Sequence, residues 1–170
     1  TAVDNANPGE TLDVTSGAYQ EQVLINKSLS LQSDDDATIL APQNKDSFEI
    51  PENDNVREPV VFAYGGSESD GNITGSGTVS VDISGLVVDG NDIDPGSNRS
   101  TGVLLRNVDG GVSDTVVQNM HEGGGQTFGI VVYGDSTVDI LDNEVDDYER
   151  GGIGIQGADG FPNPTAQVEN

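Results

Sequence analysis

Apolar and polar residues alternate along much of this chain, as in Val79-Ser-Val-Asp-Ile83 and Thr137-Val-Asp-Ile-Leu141. A period of two is the mark of a strand with one covered face. Short strands are predicted at Leu12–Val14, Val23–Ile25, Leu29–Leu31, Thr38–Leu40, Val60–Tyr64 and Val79–Val88. One strand-like phrase recurs three times: Gly102-Val-Leu-Leu-Arg-Asn107, Gly129-Ile-Val-Val-Tyr-Gly134 and Gly152-Ile-Gly-Ile-Gln-Gly157, spaced 27 and 23 residues apart. Repeats of roughly 20–50 residues signal a stacked architecture. With no helical pattern inside the unit, the expected fold is all-β, a parallel β-solenoid.

Aligning the phrases assigns faces, because successive side chains of a strand alternate. Val103, Ile130 and Ile153, with Leu105, Val132 and Ile155, form the expected interior stack. Arg106, Tyr133 and Gln156 fall in one column on the other face, and Tyr64 extends it. In a second phrase Ile83, Val116, Ile140 and Val168 align as interior positions, which puts Asn119 and Asn143 in one column of a stacked ladder. Residues 45–55 read as a polar stretch with Phe48 and Ile50 packed inward. Residues 65–77 and 89–100 read as excursions from the stack, and 123–125 and 157–164 as turns or loops. Ala2, Val3 and Ala6 suit the last turn of a helix stopped by Pro8-Gly9. One domain over residues 1–170, cut from a longer protein at both ends, is the expected organisation.

Charge narrows the partners. The chain carries 30 acidic residues against 6 basic ones, a formal charge of −24. The alternating apolar runs argue against disorder, which leaves adaptation to high salt: scarce lysine and abundant aspartate resemble the proteins of extreme halophiles. Nucleic acid needs a basic patch, and six scattered cations do not supply one. With no cysteine, disulfides and thiolate sites are excluded. No apolar run approaches the roughly 18 residues of a membrane-spanning helix, so insertion into a membrane is not expected.

Residues 8–33, from Pro-Gly-Glu-Thr-Leu-Asp-Val through Gly17-Ala-Tyr-Gln-Glu21 to Leu-Ser-Leu-Gln-Ser, resemble the first coil of right-handed parallel β-helix proteins. Val138-Asp-Ile-Leu-Asp-Asn-Glu-Val145 is similar to their generic repeat. The resemblance is to the pectin-lyase-like superfamily, which includes pectin methylesterases and polysaccharide lyases. It implies a right-handed parallel β-helix whose first coil is capped by a short helix, here a remnant at Thr1. Three N-x-Ser/Thr sequons, at Asn26, Asn72 and Asn98, point to a location outside the cell or at its surface. The aspartate motifs of the esterases have no counterpart in this sequence.

The expected function is non-catalytic: a β-helix segment of a secreted or cell-surface protein that binds or displays a polysaccharide or surface glycan. Tyr64, Arg106, Tyr133 and Gln156 are the candidate ligand-binding residues, since Tyr offers a ring face and Arg and Gln offer hydrogen bonds. Two alternatives stand beside this reading. One is a calcium-dependent polysaccharide lyase, for which the resemblance implies a basic residue such as Arg106. The other is a purely structural adhesin or spike shaft. Calcium takes clustered oxygen ligands, and Asp89, Asn91, Asp92 and Asp94 are the candidate set for Ca²⁺; Asp34–Asp36 and the acids of 142–149 are two further acidic runs. His121, the single histidine, argues against a histidine-based metal site. Asn26, Asn72 and Asn98 begin N-x-Ser/Thr sequons and are candidate glycosylation sites.

The charge makes a direct prediction. Self-repulsion opposes compaction in dilute buffer, and at about 1 M salt the Debye length falls to roughly 3 Å. The melting midpoint should therefore rise steeply from low to molar KCl. A midpoint unchanged by salt would remove the high-salt reading.

Overall fold

Strands follow one another along the whole chain after a single helical turn. The computed structural model of the protein describes residues 1–92, 98–121, 124 and 126–170. In chain order the elements begin with α1 (Ala2–Asn5), β1 (Glu10–Asp13), β2 (Gly17–Gln20), β3 (Val23–Ile25), β4 (Leu29–Leu40), β5 (Phe48–Ile50) and β6 (Asn55–Tyr64). They continue with β7 (Ser67–Ser69), β8 (Asn72–Thr74), β9 (Val79–Asp89), β10 (Arg99–Arg106), β11 (Val108–Ser113) and β12 (Val116–Gln118). The last are β13 (Phe128–Tyr133), β14 (Thr137–Leu141), β15 (Glu144–Val145), β16 (Gly151–Ile155) and β17 (Thr165–Glu169). The fold is all-β and built on two sheets, with the chain passing back and forth between them.

Within the first sheet every pairing is parallel: β4 lies between β1 and β9, and β11 between β9 and β14, with β17 beyond. In the second, β3 and β10 pair with β6, β13 with β10, and β16 with β13, again all parallel. Between the sheets lies an apolar core that runs from Val3 to Ile140 and contains Val103, Leu105, Ile130 and Val132, all fully buried. Ile153 and Ile155 continue that stack but are 38% and 39% exposed, because among the described residues no strand lies beyond β16.

The recurring glycine that opens each phrase has a steric cause. A Cβ on Gly102 would sit 2.3 Å from Val117 Cγ1, and one on Gly129 would sit 2.2 Å from Val145 Cγ1. The second sheet presses there against β12 and β15 of the first, closer than any side chain permits. The corner after the outer strands of the first sheet has its own signature. Gly85, Asp114 and Asp142 follow residues that are in register, and all three have positive φ, at 67°, 49° and 54°. Glycine and aspartate are among the residues that tolerate this region.

That corner corrects the alignment of the second phrase. Ile83 pairs with Val112, Val112 with Ile140 and Ile140 with Val168, so Val112 occupies the interior place expected of Val116. Asn143 consequently aligns with Thr115 rather than Asn119. It accepts from the Thr115 N–H at 3.0 Å and donates to Val112 O at 2.7 Å, stitching two neighbouring passes. The strands predicted at Leu29–Leu31 and Thr38–Leu40 are one element, β4, whose register with β9 shifts between Gln32 and Ala37. The acidic run 34–36 falls in that shift.

The larger difference concerns the far side of the second sheet. Phe48 and Ile50 are buried as expected, but not in the inter-sheet core. Together with Ile73 they pack on Phe62, Tyr64, Leu104, Phe128, Val131 and Tyr133, forming a second apolar cluster. Phe62 stacks between Phe48 and Tyr64, with ring centroids 5.1 and 4.7 Å away. The antiparallel pairs β5–β6 and β7–β8, joined through β5 and β8, build this cover. The polar stretch and the first excursion are thus a third layer. Strands buried on both faces carry continuous apolar runs, and β13 is buried at every position while β14 alternates.

Removing an aromatic ring from a packed core costs about 3–5 kcal/mol. Phe62→Ala should destabilise by that order, seen as a lowered midpoint in denaturant. Limited proteolysis should then cut first within 45–77. Cleavage starting elsewhere would show that the cover does not depend on this cluster.

Candidate functional site

The expected column exists. Arg106 is in register with Tyr64 on one side and Tyr133 on the other, and the Tyr133 hydroxyl donates to Gln156 Oε1. Its accessibility is the correction: Tyr64, Arg106 and Tyr133 are buried, and only Gln156 is half-buried. The cover layer takes the place that an open sugar platform would need. Burial pushes the Tyr64 phenol above its ordinary range, the Glu68 charge adds to this, and a hydrogen bond with Asn26 opposes it.

Arg106 fastens that cover to the sheet. Its Nε donates to both Glu52 oxygens at 2.9 and 3.0 Å. Nη1 donates to Gly65 O and Gly75 O, and Nη2 to Gly75 O. Glu52 belongs to the turn between β5 and β6, while Gly65 and Gly75 bracket β7 and β8, so one guanidinium ties both hairpins down. Each of the three nitrogens makes at least one of these bonds, so the guanidinium is held in place.

Tyr133 is a second junction. Its hydroxyl accepts from Arg57 Nη2 at 2.5 Å and from Asn53 Nδ2 at 2.7 Å. Arg57 is fully buried, its guanidinium carbon 4.8 Å from the Phe128 ring centroid and 5.5 Å from that of Tyr133. Burial pushes Arg57 below its ordinary range, Tyr133 opposes this, and Arg99 and Arg150 add to it. Sequence reasoning passed over Arg57, since nothing in Asn55–Pro59 marks that side chain as covered.

The surface beside these buried groups holds an open groove of about 450 Å³. Arg106, Glu52 and Asn107 line it from the sheet and the cover, Asp135 from the turn after β13, and Phe161 and Pro162 from the loop after β16. Phe161 is 37% exposed, an aromatic face with polar neighbours. Asn107 is fixed by its own bonds: Oδ1 accepts from Asp135 N at 2.8 Å and Nδ2 donates to Gly75 O at 3.4 Å. The groove therefore combines an apolar ring face with hydrogen-bonding groups on a rigid base. The sequence signal for it was Gly160-Phe161-Pro162, an aromatic set within a predicted loop.

Of the calcium candidates, Asp89 has both carboxylate oxygens in hydrogen bonds. Asp89 is buried; its Oδ1 accepts from Asn91 N at 2.7 Å and its Oδ2 from Gln118 Nε2 and Asn119 Nδ2 at 2.9 and 2.8 Å. Asn91 donates to Ala41 O, and the Asp92 N–H to Asn119 O. These residues staple a corner, and Asp94 lies outside the described residues. Among the described residues no group of three His, Cys, Asp or Glu side chains is placed to hold a metal ion. His121 is 60% exposed, with Nε2 3.7 Å from Glu149 Oε1.

Of the sequon asparagines, Asn26 and Asn72 are exposed. Asn98 is half-buried and its Nδ2 donates to Glu58 Oε1 and Ser47 Oγ, so a glycan there would displace both bonds. Among the described residues no helix is long and apolar enough to cross a membrane. No family model, curated protein or solved structure matches the chain.

Cutting one partner of a buried ion pair costs about 3–5 kcal/mol, because the other charge is left uncompensated. Arg106→Met and Glu52→Gln should each show a loss of that order in denaturant melts. The double variant should lose less than the sum. Additive losses would mean the pair is not coupled.

Proposed function

We propose that this chain is a coiled segment of a right-handed parallel β-helix protein, similar to the pectin-lyase-like group, that binds carbohydrate without transforming it. The parallel registers that carry Val61 onto Val103, Val103 onto Ile130 and Ile130 onto Ile153 support the coil reading. The charge of −24 supports an origin in a halophile, and exposed Asn72 is compatible with a secreted or cell-surface location.

The observation that carries the binding reading is the exposed Phe161 in a groove that Asn107, Glu52 and Asp135 also line. A sugar ring presents C–H groups to an aromatic face and hydroxyls to polar neighbours. Side chains fixed by bonds of their own lose little entropy on binding. The site therefore lies beside the Arg106 column rather than on it. The lyase reading is disfavoured by the bonds that hold each Arg106 nitrogen, and the shaft reading has no use for an exposed phenylalanine lining a groove.

Screening the folded protein in molar salt against neutral and acidic oligosaccharides tests the proposal. Phe161→Ala should weaken binding at least tenfold, while Tyr133→Phe, changed beneath the surface, should leave it nearly intact. Equal binding by wild type and Phe161→Ala would move the site elsewhere. A wild type that binds nothing on the panel would favour the shaft.

A further inference from the structure

Four of the six cations of this chain are arginines, and three of these converge on one place. Arg57 is in direct register with Arg99. Thr101, two residues beyond Arg99, is in register with Phe128, and Gln126 lies two residues before that phenylalanine. Gln126 Oε1 accepts from Arg150 Nη1 at 3.0 Å, and the Arg150 guanidinium carbon lies 5.8 Å from the Phe128 ring centroid, the ring that also covers Arg57. Neighbouring rows of a sheet lie about 4.8 Å apart. Three positive charges thus share a small patch of a protein with 30 acids. The contrast with Arg106 is plain. That arginine has a carboxylate on its Nε, whereas Arg57 Nε and Nη1 are buried with no hydrogen-bond partner among the described residues. A buried charge is ordinarily paired with an opposite one.

We propose that Arg99, in register with Arg57, and Arg150, beside the Phe128 ring that covers Arg57, form a binding site for an oxyanion, a sulfate or carboxylate group. Arg150 is exposed and Arg99 half-buried, so both are open to a solute. Guanidinium is the side chain best matched to such groups, since its planar N–H fork bonds their oxygens in pairs. Arg57 does not touch the ligand. It contributes a fixed positive charge in a low-dielectric setting, where the field is weakly screened. An anion there relieves repulsion among three like charges. The surrounding −24 repels anions at long range, but in molar salt that field falls off within a few ångströms. The site does not rest on the glycan reading, because a free ion or a charged sugar substituent would satisfy the same chemistry.

The test follows the arginine Nε–H signals by ¹H–¹⁵N NMR while sodium sulfate replaces sodium chloride at constant, molar-range ionic strength. The expected result is a saturable shift of the Arg99 and Arg150 signals with one dissociation constant, while Arg106 stays still as an internal control. In Arg150→Gln, a change at an exposed position, the affinity for sulfate at Arg99 should fall at least tenfold. Glucuronic acid and glucose then separate the sources. If glucuronic acid moves the arginine signals and glucose does not, the oxyanion can arrive on a sugar; if only sulfate moves them, the ligand is a free ion. A shift that never saturates, one shared equally by Arg106, or an Arg150→Gln protein that titrates like wild type would each overturn the proposal.

Discussion

Burial of the second sheet on both of its faces is the constraint on which the rest of this structure depends. Its inner side chains, Val103, Leu105, Ile130 and Val132, belong to the inter-sheet core. Its outer ones, Phe62, Leu104, Val131 and Tyr133, belong to the cluster beneath the cover. At the covered positions of this sheet a charge has no solvent beside it, so it must be answered from inside. Arg106 is answered by Glu52 and by two backbone carbonyls. Among the described residues Arg57 meets the Tyr133 hydroxyl and the faces of the Phe128 and Tyr133 rings. The difference between those two arginines separates a structural rivet from a site with charge to spare.

The first sheet meets the opposite demand. Its outer face is open and carries acid, yet the registers keep like charges apart. Asp82 and Asp139 share one column with Gly111 between them. Asp109 lies between Ser80 and Thr137, and Asp13 beside Gln32, whose Nε2 donates to it at 2.7 Å. Like charges directly opposite on neighbouring strands destabilise a sheet. Interleaving acids with neutral residues lets a stack of parallel strands carry a high negative charge that salt can then screen. The two faces thus divide the electrostatic work: the acids spread over the open sheet, and three of the four arginines lie near the starting ends of strands of the covered one.

Rigidity passes from these layers to the groove. Asn107 is held between Asp135 and Gly75, and Glu52 by Arg106. The groove wall is consequently made of side chains that are already fixed. Phe161, on a loop after the last strand of the second sheet, brings the apolar face to them. A ligand-facing loop on a fixed scaffold is where binding residues commonly sit.

By itself the sequence determined the all-β class, the recurring phrase, its interior positions and the column from Tyr64 to Gln156. All of these follow from a period of two and a recurring glycine, which are local signals. It also held a clue to the covered sheet in the unbroken run Ile130-Val-Val-Tyr133, set against the alternation of Val138-Asp-Ile140. What covers that run could not be read there, because Phe48, Ile50 and Ile73 lie in stretches whose composition is that of loops. The second phrase misaligned because a left-handed residue turns the chain at Asp114 and Asp142, and phrase matching does not register a corner. Only the tertiary structure decided which arginine met a carboxylate and which did not. Pairing of that kind depends on elements far apart in sequence, Glu52 with Arg106 and Arg57 with Phe128, and their meeting is set by how the layers pack.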